Sequence, residues 1–171
     1  MIVLGIAGFS GSGKTTLLTR LIPLLRQRGL RVAVIKHTHH DFDPDIPGKD
    51  SYRLREAGAA QVLAASDRRW ALFTELPEPQ EPQLETLLAQ LDPARSDLVL
   101  VEGMRHGKHP KLEVHRPSLG HPLLARDDPW IRAVASDAPL DCPCPRLDLN
   151  GPDAVAGFIE AFHRRGVQAQ S

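Results

Sequence analysis

The densest chemistry in the 171-residue chain lies near its start, in Gly8-Phe9-Ser10-Gly11-Ser12-Gly13-Lys14-Thr15-Thr16. The spacing is G-x-x-x-x-G-K-[ST]. Glycines at these places let consecutive backbone N–H groups turn inward around a polyphosphate, where most side chains would clash. Lys14 then reaches the β- and γ-phosphates, and the Thr15 hydroxyl supplies an oxygen ligand for Mg²⁺. Gly11, Ser12, Gly13 and Thr16 complete the expected phosphate contacts. Chance alone would place this pattern in such a chain at about the one per cent level. The ligand it implies is a nucleoside triphosphate.

A phosphate loop needs an acid at the end of a neighbouring strand to hold Mg²⁺, directly or through water. The apolar run Leu98–Val101 provides the strand, and Glu102 stands at its carboxyl end, the edge where α/β sheets bind ligands. Gly103 permits an abrupt turn directly after it. Glu102 is therefore expected as a metal ligand and as the residue that orients a catalytic water. Asp97, at the opposite end of the strand, is a poor candidate. For the base, the Asn-Lys-x-Asp signature of many GTPases is absent. Two roles fit Asp137, which ends a late strand: acceptor for the N1–H and N2–H₂ of guanine, or turn former before Ala138-Pro139. These residues lean to guanine over adenine.

The loop from Lys36 to Asp45 is the second concentration of reactive groups, with His37, His39, His40, Asp41, Asp43 and Asp45. It leaves the carboxyl end of the second expected strand and should overhang the phosphates. Its side chains suit a divalent metal, a water or an anion, and equally a solvated turn. The i, i+4 histidine spacing of a helical metal site is missing, so Asp41 as an indirect Mg²⁺ or water ligand is preferred. Lys49 and Arg53, four apart, share a face of the next predicted helix. Phosphate contact and ion pairs with Asp50 or Glu56 account for them equally. Cys142 and Cys144 supply half a tetrahedral metal site, and the prolines that flank and split them favour a structural turn.

These groups must be positioned by strands and helices that the apolar spacing locates. A buried strand precedes the phosphate loop, and a helix with Leu17, Leu18, Leu21, Ile22, Leu24 and Leu25 follows it to Gly29. Strands are predicted at Arg31–Ile35, Gln61–Ala65, Trp70–Thr74, Asp97–Gly103, Lys111–His115, Trp130–Ser136 and Arg146–Leu149. Helices are predicted at Lys49–Ala57, around Leu84–Leu91, and at Pro152–Arg165, the last with proline in its first turn. The segment from Met104 to Asp128 otherwise reads as mobile loop. Apolar strands alternating with helices call for the three-layer α/β fold of P-loop NTPases, a mostly parallel sheet covered by helices on both faces. One domain over residues 1–165 and a frayed tail at 166–171 follow from length and composition.

Equal numbers of basic and acidic residues, 21 each, leave no electrostatic footprint for nucleic acid or an anionic membrane. No apolar stretch reaches spanning length, and the chain begins at once with strand and loop rather than a cleavable leader. A cytoplasmic protein is expected, with its two cysteines reduced.

The sequence resembles the molybdopterin-guanine dinucleotide biosynthesis adapter proteins, the MobB family. The resemblance rests on Gly8 to Leu17, on Lys36-His37-Thr38-His39-His40-Asp41-Phe42-Asp43, and on Pro47-Gly48-Lys49-Asp50-Ser51-Tyr52-Arg53. Ala57-Gly58-Ala59 and Leu100-Val101-Glu102-Gly103 extend it. It implies a GTP- and Mg²⁺-binding protein, usually a homodimer, with feeble GTP hydrolysis. Its implied task is to assist the nucleotidyltransferase that joins GMP to molybdopterin, with direct contact to molybdopterin left open.

Two other classes remain. A small-molecule kinase would use Asp41 or His40 as base and Arg105, Arg116 or Arg126 on a lid. A metal-insertion GTPase would use the histidines and the cysteine pair. No glutamine near the phosphates suggests itself to orient water, and no arginine finger in cis is identifiable. Partner-supplied groups of that kind change such rates by about 10³–10⁵-fold, so weak turnover is expected.

Overall fold

The computed structural model describes residues 1–38 and 43–169. Two compact units arise: Met1–His37 together with the chain from Gln83 onward, and Thr38–Pro82.

The larger unit is built on six strands: β1 (Ile2–Ala7), β2 (Val32–Lys36), and, after the excursion through the smaller unit, β5 (Leu98–Glu102), β6 (Lys111–His115), β7 (Ile131–Ser136) and β8 (Arg146–Asp148). Their order is β2-β5-β1-β6-β7-β8, and every pairing is parallel. From β1 the chain steps first to one side of the sheet and later to the other. β1 is thus the switch point, and the crevice at its carboxyl end is where such sheets bind ligands.

Side-chain alternation along the strands feeds a core on each face of the sheet, with a smaller cluster of Ile131, Val134 and Ala125 at β7. Ile2, Leu4 and Ile6 of β1, with Leu98, Leu100, Leu112 and Val114, pack against Leu17, Leu18, Leu21 and Leu25 of α1 (Lys14–Gln27) and Val155, Ala156 and Ile159 of α4 (Pro152–Gln168). On the opposite face, Ile35, Val99 and Val101 receive Leu84, Leu87 and Leu88 of α3 (Leu84–Leu88) and Leu91 beyond it. Helices on both faces give the expected three layers. Arg28, after α1, ties it to α4 through Glu160 at 3.2 Å and Asp153 at 3.5 Å.

The smaller unit holds α2 (Asp50–Glu56) and the antiparallel hairpin of β3 (Gln61–Ala65) and β4 (Trp70–Thr74). The two predicted strands are present but form a separate sheet. A four-residue turn, Ser66 to Arg69, allows only antiparallel pairing between them. Among the described residues α4 extends to Gln168, past the predicted end at Arg165 and into the expected tail. Gly166 lies against β1, where a Cβ would stand 2.7 Å from Ile2 Cδ1, so this turn is docked rather than frayed.

The polar strand β6 is buried throughout. The flanking segments, read from the sequence as mobile, are tied to it by Lys111 and Glu113, and 3₁₀ turns form at Pro117–Leu119 and Leu124–Arg126.

Asp97 closes the far edge of the sheet. Its carboxylate accepts from Arg31 Nη2 at 2.6 Å, Nε at 3.0 Å and the Arg31 backbone N–H at 2.9 Å. These hydrogen bonds hold its pKa down to about 2, against an ordinary 3.8. A depressed carboxylate pKa contributes stability that is present above the unfolded value and lost as pH falls through the folded one. Asp97→Asn is therefore less stable than wild type at pH 6, and the gap closes between about pH 4 and 2. Chemical denaturation across that range checks it; a gap that stays constant with pH contradicts it.

Candidate nucleotide-binding site

α1 begins at Lys14, directly after Gly13, whose φ of +97° lies in the left-handed region. Glycine makes that turn at little steric cost, so the loop amides and the positive end of the helix dipole face one volume. Gly11, at φ +77°, has nothing within 4 Å of where a Cβ would stand, so the loop is open there. Lys14 Nζ donates to the carbonyl oxygens of Gly8 at 3.0 Å and Phe9 at 2.9 Å, reaching back across the loop. Partial burial pulls its ammonium below the usual lysine range, with Glu102 opposing that shift. A polyanion alongside favours the charged form again. Ser12 is buried beneath the loop, and its backbone N–H donates to Phe9 O at 3.2 Å. Thr16 is exposed in the first helical turn and accepts a hydrogen bond from Thr19 Oγ1 on its carbonyl.

β1 and β5 pair in register, Ile6 opposite Glu102, which carries the strand-end acid to the phosphate loop. Thr15 Oγ1 donates to Glu102 Oε1 at 2.8 Å, joining positions 87 residues apart. Glu102 Oε2 lies 3.7 Å from Lys36 Nζ at the end of β2. A hydroxyl and a carboxylate converging in this way are hard oxygen donors, the set that suits Mg²⁺.

Asp137 follows β7, and its Oδ2 accepts from Arg116 Nη1. Arg116 Nε also donates to the Ser12 carbonyl at 3.0 Å. The guanidinium thus links the phosphate loop to the end of β7. By sequence alone Arg116 stands beside Arg105 and Arg126 as a lid arginine. Its position one residue past β6, on the same carboxyl edge as Glu102, is the signal that finds it.

Asp41, with His39 and His40, lies outside the described residues. Lys36 and His37 belong to the larger unit. In the smaller unit, Asp43 and Asp45 are drawn to Arg55, at 2.7 Å and 3.4 Å, and Glu75 joins them at 2.8 Å. Arg55 also stacks over Tyr52 and Phe73. This knot was missed in the sequence, because the partners of Arg55 come from both sides of its helix. Hydrogen bonding from Arg55 lowers the Asp43 pKa, so these acids serve an internal ion-pair network. Among the described residues neither Lys49 nor Arg53 pairs with Asp50 or Glu56.

Both cysteines are free, and Cys142 Sγ donates to the Cys144 carbonyl at 3.0 Å within the turn. Burial pushes the Cys144 thiol up to about 11, which disfavours the thiolate that a metal needs. Among the described residues no three His, Cys, Asp or Glu side chains gather as a metal site, and no helix is long and apolar enough to cross a membrane.

Residues 3–137 match the MobB family, described as molybdopterin guanine dinucleotide synthesis protein B. The chain belongs to the MobB family. The match runs from β1 to Asp137 and so takes in the phosphate loop, Glu102, Arg116 and Asp137. Among MobB relatives, the molybdopterin-guanine dinucleotide biosynthesis adapter protein of Escherichia coli K12 is 49% identical over 158 residues, 92% of this chain and 90% of the relative. The protein of the same description from Haemophilus influenzae is 48% identical, covering 92% of this chain and 87% of its own. A solved structure of molybdopterin-guanine biosynthesis protein B superposes with a TM-score of 0.72 at 31% identity, over 95% of this chain and 99% of that one. The MobB homolog from Bacillus stearothermophilus gives 0.69 at 28% identity, over 96% and 99%. Both are similar to this chain across almost its whole length.

Proposed function

We propose that this MobB chain binds GTP with Mg²⁺ and acts as an adapter in molybdenum cofactor biosynthesis, assisting the nucleotidyltransferase that attaches GMP to molybdopterin. What supports the nucleotide reading most is the meeting of Thr15 with Glu102 beside the Lys14 loop. Gly11, Ser12, Gly13, Lys14, Thr15 and Thr16 hold the phosphates through backbone N–H groups, ammonium and hydroxyl. Thr15 and Glu102 hold Mg²⁺, which supplies charge neutralisation across the phosphate oxygens. Glu102 orients the attacking water. Asp137 accepts from the guanine edge, kept in place by Arg116 at its other side.

The same reading includes a homodimer and direct contact with the nucleotidyltransferase. Intrinsic hydrolysis is slow, below about 1 s⁻¹, since a partner completes such sites.

Calorimetry of GTP against ATP, with and without Mg²⁺, tests the proposal. GTP binds at least tenfold more tightly than ATP when Mg²⁺ is present, and Asp137→Ala narrows that ratio to near unity. Equal affinities in the wild type would remove the guanine assignment.

A further inference from the structure

We propose that a cavity beside the phosphate loop is a second ligand site, which takes a flat pteridine carrying a phosphate monoester. The cavity measures about 500 Å³ and lies between residues 105–108 and residues 122–130. Both walls are anchored by one strand. Lys111 Nζ donates to the carbonyls of Arg105 at 2.9 Å and Gly107 at 2.6 Å, and pairs with Asp128 Oδ2 at 2.7 Å. Two residues further along β6, Glu113 accepts from the backbone N–H groups of Leu124 at 2.9 Å and Ala125 at 2.8 Å.

Lys111 and Glu113 are each 1% exposed. Burying such charges carries a desolvation cost that apolar residues of similar size would avoid, and burial pushes the Glu113 carboxyl above its usual range. What the charges provide here is fixed geometry for both walls. A pocket held open before its ligand arrives is the usual condition of a small-molecule site.

The lining selects the ligand. Trp130 and Leu123 offer apolar surface for a flat ring, and base-like rings stack on aromatic side chains without needing a particular sequence of polar contacts. Asp127 accepts from ring N–H and amino groups, while Arg105 and Lys108 suit a phosphate monoester. The Arg105 guanidinium also lies 5.0 Å from the centroid of Phe9, inside the phosphate loop, and Phe9 stacks on His121 at 4.3 Å. The cationic end of the cavity therefore adjoins the nucleotide site. The choice of a pteridine among flat anionic rings rests on the function proposed above.

Neopterin monophosphate is the probe, titrated into protein saturated with GTP and Mg²⁺. Trp70→Phe leaves Trp130 as the only tryptophan, so its quenching reports the cavity. The expected result is saturable binding of one equivalent that GTP does not displace. Neopterin without phosphate binds at least tenfold more weakly. By calorimetry, which needs no tryptophan, Trp130→Leu and Lys108→Glu each weaken the monophosphate at least tenfold while leaving GTP affinity at the wild-type value. Lys108 is exposed, so its variant keeps the test valid should the tryptophan variant misfold. No saturable binding, displacement by GTP, or undiminished binding in folded variants overturns the site. Pteridine binding in a protein that fails to bind GTP would instead sink the nucleotide reading and uphold the cavity.

Discussion

Lys14→Ala lowers GTP affinity by at least about 100-fold while the fold survives. Charge-assisted hydrogen bonds contribute about 1.5–3 kcal/mol each, and two of them to phosphate oxygens correspond to roughly 10²–10⁴ in the dissociation constant. Lys14 Nζ stands within 3.0 Å of the Gly8 and Phe9 carbonyls, so the ammonium sits over the loop before any phosphate enters. Removing it leaves those two carbonyls to water at a partly exposed site, a small cost in stability. Calorimetry with GTP and Mg²⁺, paired with thermal melting, separates the two effects. Wild-type affinity in a folded Lys14→Ala protein would contradict the whole reading of the loop.

Gly103→Ala destabilises the protein by about 2–5 kcal/mol, a large share of the 5–15 kcal/mol typical of a domain. Left-handed backbone costs a residue with a Cβ about 1–2 kcal/mol, and forced overpacking adds about 1–3. Gly103 has φ +103°, and its Cβ would press on the His37 carbonyl, 3.0 Å from its carbon and 3.1 Å from His37 Cβ. The neighbour cannot retreat easily. The His37 N–H donates to Glu102 O at 2.8 Å, and Lys36 pairs with Glu102 across β2 and β5. Any relief therefore moves Glu102 off Thr15. Gly29→Ala is the control: φ there is +83°, but nothing lies within 4 Å, so only the conformational cost remains. Urea denaturation of both variants measures the difference. Similar losses for the two would show that the His37 contact carries no weight.

The phosphate loop was legible because its chemistry is local, carried by consecutive residues whose φ values and following helix are set within a few peptide units. Glu102 was legible for a related reason, since an acid ending a wholly apolar strand can point only to one edge of a parallel sheet. β6 shows where that reasoning stops. Its Lys111-Leu112-Glu113-Val114-His115 alternates polar and apolar, the pattern of a strand with one face in water. In the fold that face is covered by the segments its own charges hold. The hairpin β3–β4 was recognisable as two strands, yet local propensity says nothing about which sheet they join.

The sequence by itself determined the main strands and helices, the G-x-x-x-x-G-K-T loop and the family, because each depends on short-range spacing and residue type. Tertiary structure alone decided that Arg116 would bridge Ser12 and Asp137, that Arg55 would gather Asp43, Asp45 and Glu75, and that Lys111 and Glu113 would hold open a cavity. These contacts join side chains brought together by strand order and chain crossings. No periodicity along the chain encodes the distance between two such groups, which is a property of the packed sheet.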